Sequence, residues 1–179
     1  MTRRPRELRQ DERNCSTNRL DLSTPLNLLT GSIIKAALEV HRALGGPGLL
    51  ESVYEDALAS ELTLAGHRVR RQQEVRINYK GRPLTGHFKL DLLVENRVLV
   101  ECKATTVHQE IFRSQTLTYL RLCNLEVGLL INFGAALLRH GIHRIVNTPQ
   151  DASARSVSGT YLNTSRSPES PSPCDAQFL

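Results

Sequence analysis

Tryptophan is absent from this 179-residue sequence, and aromatic residues together make up only 4% of it. A hydrophobic core must therefore consist mainly of Leu, Ile, Val and Ala. No apolar run reaches the length of about 18 residues that a membrane-spanning helix needs, so no membrane association is expected. The first residues also lack the apolar segment of a signal peptide, and we expect a cytoplasmic protein.

Cysteine is scarce, and its four positions do not indicate a zinc site or a disulfide framework. No two cysteines have the C-x-x-C spacing typical of metal sites. Cys15 and Cys174 lie near the termini, whereas Cys102 and Cys123 lie in apolar runs. The latter two are predicted to be small buried hydrophobic residues.

Basic residues exceed acidic ones, which gives a formal net charge of +5 and a pI near 9.3. A positive protein attracts polyanions over a long range, whatever their sequence. The same charge is equally consistent with simple solubility. Composition alone therefore leaves a nucleic-acid partner open.

Composition divides the chain into three segments. Residues 1–25 contain six arginines and four acids with little apolar periodicity, which predicts a flexible basic arm. Residues 148–179 are rich in Ser, Pro and Thr, so this tail is predicted to be disordered. The intervening residues 26–147 form the predicted folded domain, with 15 basic and 11 acidic residues.

Within this domain the hydrophobic period changes several times. Helical spacing predicts helices over residues 26–44, 50–65 and 108–123. Alternating or continuous apolar runs predict strands over residues 75–80, 86–94, 97–104, 127–133 and 142–146. The order predicts an α/β (α+β) fold, with a mixed sheet of about four or five strands flanked by helices.

Asp91, Glu101 and Lys103 form the main candidate site. Alternate residues of a strand share a face, so Glu101 and Lys103 should project together while Cys102 points into the core. Pairing across the turn at residues 95–96 can place Asp91 beside Glu101. Two carboxylates and an ammonium on one exposed patch suit metal-assisted phosphodiester hydrolysis. A salt bridge on a solvated sheet face is the simpler alternative.

Two helices carry further candidates. Glu51 falls in the first turn of a helix, where the helix dipole alone favours an acid, and Tyr54 follows three residues later. Gln115 and Tyr119 have the i, i+4 spacing that places them on one helix face. Each pair also has a purely structural interpretation: helix capping and core packing for the first, an exposed polar edge for the second.

Taken together, these motifs resemble the GxxExxY protein family, which belongs to the PD-(D/E)xK nuclease superfamily. The matching elements are Gly48-x-x-Glu51-x-x-Tyr54, Asp91, Glu101-Cys-Lys103, Gln115-x-x-x-Tyr119 and the segment 128–134, in that order. The resemblance spans about residues 28–147. It implies a restriction-endonuclease-like core.

The resemblance also implies a role for each residue. Glu51, Asp91 and Glu101 would bind Mg²⁺ (or Mn²⁺), and Lys103 would complete the catalytic set. Gln115 and Tyr119 would correspond to an element found in exonuclease-type branches of the superfamily. Phe112 stands where many family members have a histidine, which leaves a histidine-assisted step in doubt. Cys102 stands in the middle of the E-x-K motif, where family members usually have an aliphatic residue.

These residues predict a metal-dependent nuclease that hydrolyses phosphodiesters in DNA or RNA. An alternative is a catalytically inactive module with the same fold that binds nucleic acid or another partner. A third reading, an assembly subunit, has no positive feature in the sequence. The oligomeric state stays open, with a homodimer among the alternatives.

Overall fold

The computed structural model describes residues 24–106 and 110–148. The predicted basic arm and the Ser/Pro-rich tail therefore lie almost wholly outside the described residues, as do Cys15 and Cys174. Between them, the chain forms helices α1 (Pro25–Ala43), α2 (Glu51–Leu64) and α3 (Glu110–Cys123), with strands β1 (Val69–Tyr79), β2 (Arg82–Val94), β3 (Val98–Lys103), β4 (Val127–Asn132) and β5 (Ile142–Val146). A short 3₁₀ turn, Leu138–His140, precedes β5.

The five strands form one mixed sheet in the order β1-β2-β3-β4-β5. The β3–β4 pair is parallel and the other neighbours are antiparallel. Helix α3 connects the two parallel strands, as a parallel crossover requires. This mixed sheet with three helices confirms the predicted α+β class.

The sheet buries an apolar layer on each face. Helices α1 and α2 pack on one face, with Ile33, Tyr54, Leu58 and Leu62 fully buried against residues of β2, β3 and β4. Helix α3 covers the other face through Leu120 and Cys123. No helix within the described ranges is both long and apolar enough to cross a membrane.

Local chemistry sets the element boundaries. Helix α1 begins after Thr24, whose hydroxyl oxygen accepts a hydrogen bond from the Asn27 amide at 3.3 Å, and Pro25 occupies the first helical turn. In the turn between β2 and β3, Glu95 and Asn96 adopt φ values of 52° and 54°. Asn tolerates this left-handed conformation better than most residues.

The β1–β2 hairpin is longer than predicted, because β1 begins at Val69 and β2 at Arg82. Its strands pair from Val69–Val94 out to Tyr79–Arg82. By contrast, β2 pairs with β3 only at the three positions Leu92, Leu93 and Val94. The outer part of the hairpin therefore extends past β3 as a two-stranded ribbon.

Candidate active site

The site lies in the notch where β2 leaves β3. The ladder between them ends at the pair Leu92–Val100, so the next part of β3 has a backbone neighbour on the β4 side only. Asp91 closes the gap with its side chain, since its Oδ2 accepts a hydrogen bond from the Cys102 amide at 2.9 Å.

Lys103 is the centre of the cluster. Its Nζ lies 2.9 Å from Glu101 Oε1, 3.2 Å from Glu51 Oε1 and 3.9 Å from Asp91 Oδ2. The ammonium also donates to the Cys102 carbonyl oxygen at 2.8 Å. The structure thus brings together all four residues that the sequence predicted as the acidic and lysine set.

The patch is not exposed as predicted, because Glu101 is only 4% exposed. Helix α3 covers this face of the sheet, which an isolated strand pattern does not reveal. Glu101 Oε2 is buried and has no hydrogen-bond partner among the described residues. Burial, followed by repulsion from Asp91, raises the pKa of Glu101 to about 7, despite its ion pair with Lys103.

Burial and nearby charges also shift the pKa values of Asp91 and Lys103. Burial is the main reason why the pKa of Asp91 is raised, and the hydrogen bond from the Cys102 amide opposes this shift. For Lys103, burial alone would lower the pKa. The surrounding carboxylates, Glu101 first, outweigh burial and raise it. Lys103 is therefore a firmly charged ammonium beside carboxylates that ionise with difficulty.

Glu51 is positioned by the loop that precedes α2. Gly48 has a φ of 122°, a conformation open to glycine but strained for other residues. The Tyr54 hydroxyl donates to the Gly46 carbonyl at 2.7 Å and accepts from the Leu49 amide at 3.2 Å. The Tyr54 ring is fully buried and stacks on Phe133 at a centroid distance of 4.6 Å. The G-x-x-E-x-x-Y spacing thus fixes the first turn of α2, where Glu51 lies.

Gln115 and Tyr119 share one face of α3, and the Gln115 amide donates to the Tyr119 hydroxyl at 2.8 Å. The Tyr119 ring stacks on Phe88 of β2 at 4.2 Å. Burial, followed by the nearby Glu101 charge, raises the pKa of Tyr119, which places this phenol within electrostatic range of the site. Among the described residues, Gln115 and Tyr119 hydrogen-bond to each other at the border of the acidic cluster.

Phe112 occupies the position where, by the resemblance, many family members have a histidine. Its ring lies 5.7 Å from Lys103 Nζ in a cation–π contact. An apolar ring at this place shields the ammonium from water and offers no group for proton transfer. The structure thus gives Phe112 a covering role over the lysine.

Glu55 was missed in the sequence analysis. It lies one turn after Glu51 on α2, is 6% exposed, and accepts a hydrogen bond from Gln72 Nε2 at 2.7 Å. Arg71 Nε also lies 3.4 Å from Glu55 Oε1. The negative charge of Glu55 contributes to the raised pKa of Asp91. The i, i+4 spacing of Glu51 and Glu55 was visible, but an acid on a helix is ordinarily predicted to be solvated.

A clamp at the end of the sheet fixes the chain after Lys103. The Asn132 side chain accepts from the Thr105 amide at 3.0 Å and donates to the Thr105 carbonyl at 2.8 Å. A Cβ on Gly134 would lie 2.6 Å from the Thr105 nitrogen, so only glycine fits there. These contacts explain the Asn-Phe-Gly sequence at the end of β4.

Within residues 24–106 and 110–148, no three acidic, histidine or cysteine side chains already form a metal-coordinating group. Instead, the Lys103 ammonium lies within 4 Å of the carboxylates of Glu51, Asp91 and Glu101. The donors nevertheless suit a hard cation, which prefers carboxylate oxygens, and Glu101 Oε2 is a buried acceptor without a partner.

Comparison with known families gives one match. The sequence matches the family model of the PD-(D/E)XK nuclease superfamily over residues 27–145, which is more than half of the chain. Searches of curated proteins and of solved structures give no significant match. The matched range includes every element that builds the acidic cluster, and the chain belongs to the PD-(D/E)XK nuclease superfamily.

Proposed function

We propose that this protein is a metal-dependent nuclease that hydrolyses phosphodiester bonds, and that it is a member of the GxxExxY family. The observation that carries the proposal is the convergence of three carboxylates on one buried lysine, with Lys103 Nζ within 4 Å of Glu51, Asp91 and Glu101. A purely structural salt bridge needs one carboxylate per lysine. The two further carboxylates are explained by a cationic ligand.

Glu51, Asp91 and Glu101 are the residues that would hold Mg²⁺ or Mn²⁺. When bound, such a cation lowers the pKa of a water ligand and offsets negative charge on the phosphoryl oxygens. The carboxylates fit this role because two of them are largely buried and repel each other. A divalent cation would relieve that repulsion and allow Glu101 to ionise at neutral pH.

Lys103 supplies the positive charge that stays in the protein. It has only 13% of its side chain exposed and is fixed by the Cys102 carbonyl. A fixed ammonium stabilises the negative charge that develops on the phosphate as water attacks phosphorus and the P–O bond to the leaving group breaks. Phe112 strengthens this effect because it keeps water away from one side of the ammonium.

Gln115 and Tyr119 form the second wall of the site. Their side chains are joined by a hydrogen bond, and the Tyr119 ring is held by Phe88. We assign them a positioning role: the Gln115 amide and the Tyr119 hydroxyl orient substrate oxygen atoms beside the cluster. Neither group changes charge in this role.

The test is cleavage of labelled DNA and RNA by the purified protein in Mg²⁺, Mn²⁺ or EDTA. Wild-type protein should cleave with either metal and stop in EDTA, and Glu101→Gln should lose activity by about a hundredfold or more. Glu39→Gln is the matched control, because Glu39 is a half-exposed acid of α1 that forms an ion pair with Arg42. It should cleave like wild type.

Two results would contradict the proposal. Cleavage that persists in EDTA would exclude a metal-dependent reaction. Full activity of Glu101→Gln would place the reaction elsewhere in the chain. If neither wild type nor Glu101→Gln cleaves but both bind nucleic acid, the catalytically inactive binding module becomes the better interpretation.

A further inference from the structure

The outer β1–β2 hairpin, residues 73–90, is here named the ribbon. Its β2 strand has no β3 neighbour along this stretch. At its base, Phe88 stacks on Tyr119 and Val75 is buried against α3. Farther out, residues 79–87 are all exposed, with 60% of Tyr79 and 46% of Leu84 accessible to solvent.

The ribbon carries positive charge without acid at its outer part. Between Glu74 and Asp91 the sequence contains Arg76, Lys80, Arg82 and Lys89 and no Asp or Glu. Lys89 lies near Glu74 at 3.8 Å. Arg76, Lys80 and Arg82 are exposed and form no ion pair with any residue that the structure describes. Lys80 Nζ lies 5.4 Å from the centroid of the Tyr79 ring, a cation–π contact. Because all three side chains are exposed, their charge is available to a partner.

The ribbon also begins at the site. Asp91, which holds the Cys102 amide, is the residue next to the ribbon in β2. Asp91 is nine residue steps along the strand from Arg82, a span of about 30 Å at the ordinary rise of a strand. One turn of B-form DNA is about 34 Å long. A duplex engaged at the site thus passes the outer cations within one helical turn.

We infer that the ribbon is a docking surface for double-stranded DNA. The major groove of B-form DNA admits a two-stranded β-ribbon, and its flanking phosphates match the exposed cations Arg76, Lys80 and Arg82. Tyr79 and Leu84 provide apolar contacts at the tip. Duplex RNA does not fit, because its major groove is too narrow and deep for such an insertion. The inference rests on the proposed nuclease function, since it names the substrate class of the same site.

The test compares DNA binding by the full-length protein and by the triple variant Arg76→Ala/Lys80→Ala/Arg82→Ala. Fluorescence anisotropy in EDTA measures affinity without cleavage, using 24-base-pair duplex DNA, the corresponding duplex RNA and a single strand. Wild type should bind duplex DNA most tightly. The variant should lose about tenfold or more on duplex DNA, and the slope of log K against log salt should fall by up to about three.

The matched control is Lys35→Ala/Arg97→Ala/Arg139→Ala, which removes the same charge from exposed positions on other elements. It should bind duplex DNA within about twofold of wild type, because long-range charge alone is a screened, minor contribution. All six substituted residues are exposed, so the melting temperatures of both variants should match that of wild type.

Three results would overturn the inference: unchanged duplex binding by the ribbon variant, an equal loss in the control variant, or equal losses on duplex DNA, duplex RNA and single strands. None of these depends on cleavage. Absence of cleavage by a wild-type protein that binds duplex DNA through the ribbon would instead contradict the proposed nuclease function alone. The two failures are therefore distinguishable.

Discussion

At the scale of single residues, the site is governed by the cost of burying Glu101. The carboxylate is surrounded by protein, has one oxygen without a partner and faces Asp91 as well as Lys103. Its charge is thus only partly compensated. This uncompensated negative charge destabilises the metal-free fold and favours the binding of a cation.

This uncompensated charge predicts how stability depends on pH. The pKa of Glu101 is raised from 4.5 to about 7, so the folded state holds its proton more tightly than the unfolded state does. Stability from this group is full below about pH 4.5 and is lost as the pH rises to about 7. The loss should amount to at most about 3.5 kcal/mol, since one pKa unit is about 1.4 kcal/mol.

Urea denaturation in EDTA between pH 5 and pH 8 measures this loss. Glu101→Gln cannot ionise and should show a flatter pH dependence than wild type. Asp91 adds to the remaining slope, because its pKa is also raised. Lys103 adds nothing in this range, since its raised pKa keeps it charged in both states. Parallel curves for the two proteins would show that Glu101 is not the titrating group.

At the scale of elements, the loop before α2 determines where Glu51 lies. Tyr54→Phe keeps the ring that stacks on Phe133 and removes only the hydroxyl that joins Gly46 to Leu49. We expect a loss of about 1 kcal/mol in unfolding free energy, the usual cost of one such hydrogen bond. The cleavage rate should fall by more than the loss of stability alone would cause, because the loop no longer holds Glu51 in position. Equal activity of Tyr54→Phe and wild type would exclude this positioning role.

The junction between β3 and β4 gives a second element-scale prediction. Gly134→Ala forces a Cβ into the Thr105 backbone and should lower unfolding free energy by about 1–3 kcal/mol. Gly86→Ala is the matched control, since a Cβ there meets no atom within 4 Å. It should be neutral or slightly stabilising. Chemical denaturation of both variants decides the matter, and similar stabilities would contradict the proposed close packing.

Elements with a strong hydrophobic period were predicted well from the sequence. Helix α1 and strand β5 agree with the predictions to within one residue at each end. The beginnings of β1 and β2 were missed. Residues 70–74 are polar and show no alternation, and Pro83 and Gly86 disfavour a strand. The second stretch belongs to the ribbon, where pairing between two strands, rather than burial, maintains the structure.

The sequence predicted which residues come together in the candidate site, but not that they are buried. Alternation along β3 placed Glu101 and Lys103 together, and the turn placed Asp91 near them. Their burial could not be read from the strands alone, because it depends on helices packed against the sheet, such as α3, whose Phe112 ring lies over Lys103. Glu55 was missed for the same reason, since a tertiary contact with Gln72 decides its burial.

At the scale of the whole molecule, metal binding should be coupled to folding. A cation that binds the folded site and not the unfolded chain stabilises it by about 2.7 kcal/mol at a hundredfold excess over Kd. Wild type and Glu39→Gln should therefore melt several degrees higher in Mg²⁺ or Mn²⁺ than in EDTA. Asp91→Asn should respond much less, although its amide oxygen can still accept from Cys102. Equal shifts in all three proteins would place the metal elsewhere.

The most direct test of the nuclease proposal is the rate of phosphodiester cleavage by Lys103→Met. Lys103 carries a positive charge and so is not a metal ligand, which separates its loss from loss of the metal. Single-turnover cleavage in saturating Mg²⁺ should fall by about a hundredfold to a thousandfold, as for other fixed groups that stabilise transition-state charge. The metal-induced thermal shift should persist, and Lys35→Met, an exposed control, should cleave like wild type. An unchanged cleavage rate in Lys103→Met would contradict the assignment of this cluster as the active site.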